Sequence, residues 1–301
     1  MVHFASLLLA LCLWSAVAAC SASPATIAPP IAPSSTMPPS PGLPTELPTP
    51  STTPIPSPTR TPTATPTSEP ADTGWRAAAP GVEWRRVWAD TGAGPERLRL
   101  VRFEPRLVRL RVLYQPTHPR RVSEWATVLP DALVIVNAGY FTPDNLATGL
   151  IVSDGVARGR SYDDFAGMLA VNPDGQVTLR WLRTWPYRPA EQLAQAVQSF
   201  PVLVKPGGVM GFPSNADGGQ RSRRTVVAQD TSGRIVLLVG PEFRFSLHEL
   251  AVWLSQSDLQ HDIAVNLDGG TSTGLWIRGQ EDQVDSLIPL PAVIAIEPAE
   301  G

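Results

Sequence analysis

The amino-acid sequence predicts an α+β fold, a single domain of mixed, largely antiparallel sheets with a few packed helices, and three observations predict it. Short apolar runs alternate with turn signals such as Asp154-Gly155 and Ser232-Gly233, the pattern of β-hairpins. Two runs, residues 133–136 and 263–267, are apolar, the second broken only by Asn266, as strands buried on both faces are. One segment, opening at Ser246, combines helical periodicity with a start signal.

Taken in order, residues 98–103 and 108–114 place apolar side chains at alternate positions with arginines between them, which predicts half-buried strands. Ser123 is placed to cap a short helix running to Leu129. The run 133–136 stops at Asn137-Ala138-Gly139-Tyr140-Phe141. Hairpins are expected over 149–157, turning at Asp154-Gly155, and over 168–182, turning at Pro173-Asp174-Gly175. A helical pattern covers 190–198, and strand returns at 201–204. Residues 225–229 and 234–239 form a further hairpin around Ser232-Gly233. From Ser246, Glu249 completes a capping box and Leu247, Leu250, Ala251 and Leu254 share one helix face. The helix feeds the run 263–267, which ends in Asn266-Leu267-Asp268-Gly269-Gly270-Thr271-Ser272-Thr273. Residues 293–296 close the chain as a strand.

The 301 residues overcount the domains, because composition divides the chain unevenly. Residues 1–19 carry an apolar stretch from Phe4 to Trp14 and end in small residues before Cys20. This reads as a secretion signal, since it is too short to span a bilayer and polar sequence follows it. Val17-Ala18-Ala19-Cys20 resembles a bacterial lipobox, which implies lipid on Cys20 and a membrane-anchored, extracytoplasmic protein. Met1-Val2-His3 lacks the Lys or Arg usual in such a signal, and an ordinary cleaved signal with a secreted product is the alternative. Residues 20–73, with about half of the 33 prolines, are rich in Pro, Ser and Thr. Such a composition cannot offset its ordering entropy and predicts a disordered, semi-rigid stalk. The globular domain is expected over 74–301.

The cysteines are Cys12 and Cys20 alone, so the domain has no disulfide, cysteine nucleophile or cysteine-ligated zinc. A net charge of −3 leaves no electrostatic footprint for nucleic acid. His118, His248 and His261 are too scattered to propose a metal triad, and no cofactor is expected. Calcium is the one cation that Asp268 and neighbouring carbonyls could hold, but six oxygens cannot be named.

The two buried runs each deliver polar residues into a glycine-containing turn: Asn137 beside Gly139, and Asn266 and Asp268 beside Gly269 and Gly270. Polar groups at the end of an apolar strand are costly unless hydrogen-bonded or used. The glycines let backbone amides approach a ligand. A tight turn in which Asp268 caps its own backbone is the competing reading.

NAGYF at 137–141, TGLIVSDG at 148–155, QAVQSFPVLV at 195–204, RRT at 223–225 and NLDGGTST at 266–273 together resemble the phosphodiester glycosidase domain family. All blocks occur in order, and Glu249-Leu250-Ala251 fits with them. The chain departs from the family pattern at Ala138 and Thr271, where glycine is common, and at Phe200, where a small residue is common. The resemblance implies hydrolysis of a sugar joined at C1 through a phosphodiester. A phosphate leaving group needs little protonation, so one carboxylate with phosphate-binding groups suffices where ordinary glycosidases use a pair. It implies Asp268 as nucleophile or general base, with Glu249 a second candidate carboxylate. Arg224 would bind the phosphate, with Arg221 or Arg223 in support. Asn137 and Asn266 would hold sugar hydroxyls or orient the carboxylate, and Thr271 and Ser272 would add donors. Glu249 at its helix start, and the basic run 221–224, each have a structural reading beside the functional one. Trp181 and Trp185 are candidates for stacking on a sugar or for packing.

Two other function classes stand beside this one. A carbohydrate-binding envelope lipoprotein would keep the pocket without turnover. A phosphodiesterase cutting the P–O bond would need a metal cluster that the sequence does not display.

Overall fold

The computed structural model describes residues 70–299. The proposed signal, Cys20 and residues 20–69 of the proposed stalk lie outside the described residues. Backbone pairing begins slightly ahead of the expected domain start at Gly74. Trp88 N donates to Ala71 O, Thr73 N donates to Arg86 O, and Asp72 pairs with Arg85 at 2.5 Å.

Alternation of apolar and polar residues builds β1 (Arg76–Ala79), β2 (Val82–Thr91), β3 (Gly94–Phe103) and β4 (Val108–Tyr114). After α1 (Val122–Val128) come β5 (Val134–Asn137), β6 (Ile151–Ser153), β7 (Val156–Arg158), β8 (Gly167–Val171) and β9 (Val177–Trp181). Then follow β10 (Gln195–Ser199), β11 (Val202–Lys205), β12 (Val209–Met210), β13 (Ser222–Asp230) and β14 (Ile235–Phe245). The chain ends with α2 (Leu247–Gln256), β15 (His261–Asn266), β16 (Leu275–Ile277) and β17 (Ala292–Pro298). Every expected hairpin forms, and the ladders between strands are antiparallel. At Asp154 (φ 46°) and Gly155 (φ 78°) both turn residues are left-handed, the geometry that matches strand twist in a two-residue hairpin.

Three sheets result. One has eight strands in the order β1-β2-β3-β14-β13-β15-β11-β12; one has five, β7-β6-β10-β8-β9; one has four, β16-β5-β17-β4. Their inner faces meet in one core that includes Phe103, Val136, Leu169, Val197, Val227, Val265 and Ile294. The opposite face of the eight-stranded sheet is covered by α2 through Leu250, Ala251 and Leu254. Each buried leucine there contributes about 1.5–3 kcal/mol. Helix α1 buries Val122 and Trp125 on the outer face of the four-stranded sheet. Neither helix of the described residues is long and apolar enough to cross a membrane.

Two local expectations are corrected. Residues 190–198 are not a helix: Gln195–Ser199 is a fully buried strand between β6 and β8. Burial in mid-sheet overrides the helical propensity of its Ala and Gln residues. Ser123 lies inside α1 rather than at its cap. Its hydroxyl donates to Asp285 Oδ2 at 2.7 Å, and its backbone N–H to Asp285 Oδ1 at 3.0 Å. The side chain that caps the helix start thus comes from a distant segment, and Glu124 Oε2 accepts from Arg121 N at 2.7 Å.

Candidate active site

The two apolar runs that end in polar turns are β5 and β15, strands of different sheets whose C-terminal ends meet. Asn137, 1% exposed, is the joint. Its Nδ2 donates to the backbone carbonyl of Asp268 at 2.7 Å. Its Oδ1 accepts from the Thr225 hydroxyl at 2.8 Å and from Gly274 N at 3.1 Å. The Asp268 amide in turn donates to Ala138 O at 3.2 Å. Asn137 therefore spends its amide on holding the 268–274 loop, as a positioning residue.

The loop itself is fixed by close approach. A Cβ on Gly269 would sit 2.8 Å from Arg223 O, inside contact distance, and Gly270 has φ 61°. Gly139 is packed in the same way, since a Cβ there would meet Gln198 O at 2.7 Å. Residues Gly270–Ser272 form a 3-10 turn in which Ser272 is buried and Thr271 exposed.

Asp268 is half-buried. Its Oδ1 accepts from Gly269 N at 2.9 Å, and its carboxyl bonds with the Ser272 side chain. Burial pushes its pKa up to about 6, against the lowering effect of those two bonds. Among the described residues no cation pairs with it. A carboxylate so placed is held near its titration point.

Asn266, also buried, donates its Nδ2 to Leu267 O at 2.7 Å, to the Tyr140 hydroxyl at 2.8 Å and to Phe200 O at 3.0 Å. Its Oδ1 accepts nothing from the protein. Tyr140 donates to Phe200 O at 3.0 Å. Burial raises the Tyr140 pKa, reinforced by the charge of Asp268 and opposed by that of Arg224. Asp268, Tyr140 and Arg224 thus share one electrostatic neighbourhood.

Arg224 donates to two backbone carbonyls, from Nε to Phe245 O at 3.1 Å and from Nη2 to Gln220 O at 2.7 Å. Desolvation lowers its pKa against the charges of Tyr140, Asp217 and Glu96, and among the described residues no carboxylate forms a salt bridge with it. A desolvated guanidinium bonded only to backbone carbonyls is disposed to take an anion.

Of the other arginines of the run, Arg221 is tied to a carboxylate and Arg223 to one backbone carbonyl, its buried Nε without a partner among the described residues. Arg221 forms a bidentate pair with Glu249, both bonds 2.6 Å. Arg223 is buried and donates to Asp285 O at 2.9 Å. Glu249 also closes the α2 capping box by accepting from Ser246 N at 3.0 Å. Its bonds to Arg221 and to backbone amides hold its pKa below the usual value against burial, the largest single influence. Glu249 and Asp268 share no partner, and the helix-start role of Glu249 is the one its contacts describe. Trp181 packs against the central core between Arg183 and Lys205, while Trp185, 52% exposed, stacks with Arg180. His118 bonds to its neighbour Thr117, His248 to Phe212 O at 2.9 Å, and His261 is buried with neither ring nitrogen partnered. No three His, Cys, Asp or Glu among the described residues are arranged to hold a metal.

Sequence reading missed the aromatic side of the site. Tyr140 stands inside the 137–141 block, and its position directly after the strand end was the available signal. Tyr162 and Phe165 reach Phe200 only through the fold, with ring centroids 5.2 and 5.4 Å from it. Glu96, fully buried, was missed as well. It accepts from Glu242 N at 2.8 Å, and burial pushes its pKa up to about 7.

Asp268 with its pKa raised, Arg224 bonded to backbone carbonyls and the packed rings of Tyr140 and Phe200 thus share one neighbourhood. The sequence profile of the phosphodiester glycosidase family matches residues 130–296. The chain belongs to that family. Its fold is similar to the catalytic domain of zebrafish N-acetylglucosamine-1-phosphodiester alpha-N-acetylglucosaminidase, auto-inhibited by its pro-peptide, with TM-score 0.57 and 18% identity. That match covers 77% of this chain and 85% of the zebrafish domain. A hypothetical protein from Synechocystis matches with TM-score 0.52 and 18% identity, over 73% of this chain and 62% of the other. Among curated proteins, none matches the sequence significantly.

Proposed function

We propose that this protein is an extracytoplasmic hydrolase that cleaves the glycosidic C1–O bond of a sugar-1-phosphodiester. It releases a free, N-acetylglucosamine-like sugar and a phosphomonoester. The observation that carries this reading is that, among the described residues, Asp268, with no salt bridge and its pKa raised to about 6, and Arg224, bonded only to backbone carbonyls, both act on Tyr140. The zebrafish relative is named for an N-acetylglucosamine-1-phosphodiester, and a substrate of that class would offer this chain an anomeric carbon to Asp268 and a phosphate to Arg224.

In this reading Arg224 binds the phosphodiester oxygens as a planar donor fork. Asp268, ionised, acts at C1 either as nucleophile or as the base that takes a proton from water. The C1–O bond breaks with its electron pair going to the phosphate oxygen, and the water oxygen ends on C1. The departing phosphomonoester has a second pKa near 6, so it leaves without a general acid, consistent with Glu249 being held by Arg221. Asn137 keeps the Asp268 backbone in place, and Ser272 orients its carboxyl.

The test is release of free sugar from an N-acetylglucosamine-1-phosphodiester by the purified protein and by Asp268→Asn. Loss of release in the variant supports the assignment; unchanged release removes it. Heavy-oxygen water identifies the bond: label in the sugar means C–O cleavage, label in the phosphate means P–O cleavage and rejects the glycosidase reading. Binding without turnover over long incubation would leave a carbohydrate-binding protein. The proposed location, outside the cytoplasm on a lipid at Cys20, is tested by fractionating wild type and Cys20→Ser. Membrane retention lost in the variant supports an anchor, and equal distribution of both proteins rejects it.

A further inference from the structure

The loop between β7 and β8 is held more firmly than its exposure requires. Gln198, buried in β10, accepts from Tyr162 N at 2.7 Å and donates to the Ser161 hydroxyl at 2.9 Å. The Tyr162 ring lies on Gly149, where a Cβ would meet its Cε2 at 2.5 Å, and its hydroxyl bonds to Thr148 Oγ1 at 2.5 Å. This pinned loop carries Phe165, 45% exposed.

Phe165 is the outermost of four contiguous rings. It stands edge-on to Phe200 at 5.4 Å and tilted against Tyr162 at 5.7 Å; Phe200 in turn packs on Tyr140 at 4.7 Å. The inner end of the row is Tyr140, beside Asn266 at the end of the strand that leads to Asp268. Tyr140 bonds to Asn266, and the charge of Asp268 acts on both tyrosines. The two hydroxyls are already engaged, Tyr140 with Phe200 O and Asn266, Tyr162 with Thr148. What this wall presents is therefore ring faces and edges rather than hydrogen-bonding groups.

We propose that Phe165, backed by Tyr162 and Phe200, is a specificity-determining residue whose ring takes the apolar C–H face of the substrate's sugar. This rests on the reading of Asp268 and Arg224 as a glycosyl phosphodiester site. A pyranose offers C–H bonds on one face that suit an electron-rich ring, while its phosphate, bound at Arg224, gains nothing from the wall. The wall thus discriminates the sugar and Arg224 the linkage.

The experiment uses the full chain with the methyl phosphodiester of N-acetylglucosamine 1-phosphate, by calorimetry and by sugar release. Phe165→Ala is expected to raise Kd and KM at least tenfold with kcat within about threefold. Phe165→Trp is expected to stay within threefold on all three, and methyl phosphate, which lacks the sugar, to bind both variants as it binds wild type. Wild type that hydrolyses the diester while Phe165→Ala is unchanged overturns the wall alone. Wild type that binds but does not hydrolyse, with Phe165→Ala still tenfold weaker, keeps the wall and removes the hydrolase reading. No binding by wild type overturns both. A melting temperature for Phe165→Ala equal to wild type excludes misfolding as the cause.

Discussion

Asn137 Nδ2 donates to the backbone carbonyl of Asp268 at 2.7 Å, joining residues 131 positions apart in the chain. The same side chain accepts from Thr225 and Gly274, so one amide ties two sheets and the candidate catalytic loop together. Asn137→Ala removes the partner of the Asp268 carbonyl and of the buried Gly274 amide, and leaves the Thr225 hydroxyl only its bond to Thr273. We expect a loss of roughly 2–4 kcal/mol by urea titration, and a fall in kcat larger than any rise in KM. A variant of wild-type stability and turnover would mean that the joint is dispensable.

In the proposed mechanism Asp268 acts ionised, so its pKa of about 6 should set the acid limb of activity. Sugar release should fall tenfold per pH unit below about 6 and level off above it. An acid limb near 4, the ordinary carboxylate range, would contradict the desolvated environment assigned to Asp268.

Arg224 and Glu249 should separate cleanly. Arg224→Met removes the unpaired guanidinium and is expected to raise KM for the phosphodiester at least tenfold, whereas binding of the neutral free sugar changes little. Glu249→Gln breaks the pair with Arg221 and weakens the α2 cap. It should lower stability by about 1 kcal/mol with kcat within a few-fold. Loss of turnover in Glu249→Gln at preserved fold would restore it as a second catalytic carboxylate.

Two buried groups away from Asp268 shape stability against pH. Glu96 is raised by burial from its ordinary 4.5 to about 7. The folded state therefore binds the extra proton between those values, and stability is lost as pH rises through that window. His261 is lowered by burial from 6.5 to about 4, so its penalty develops as pH falls from 6.5 toward 4. The two windows overlap between 4.5 and 6.5, where the opposite slopes offset each other, so these groups should cost stability below 4.5 and above 6.5. Glu96→Gln, which mimics the protonated acid, should recover on the order of 3 kcal/mol at pH 8.5 and little at pH 5. An equal effect at both pH values would show that Glu96 does not titrate.

Much of the fold was legible because hairpins are local. Asp154-Gly155 and Ser232-Gly233 announce turns whose backbone only a few residue types adopt, and alternation announces the strands beside them. The α2 helix was legible from Ser246 and Glu249 for the same reason. The failures were non-local. Residues 195–199 take strand form because β6 and β8 sandwich them, and nothing within five residues records that. Ser123 looked like a cap, but the carboxylate that serves the helix start belongs to Asp285.

The candidate site divides along the same line. Sequence alone determined which chain segments carry the polar groups: a buried apolar strand that ends in Asn or Asp beside glycine is costly unless those groups are used, and that cost is written in neighbouring residues. Only the tertiary structure decided what each group does. It gave Asn137 to the backbone of Asp268, Glu249 to Arg221 and Arg223 to the carbonyl of Asp285, and among the described residues it left Asp268 and Arg224 without a salt bridge. It also gathered Tyr140, Tyr162, Phe165 and Phe200 into one row. Hydrogen bonding, desolvation and ring contact depend on distances of a few ångströms, and only the packed sheets bring residues from five separate segments within them.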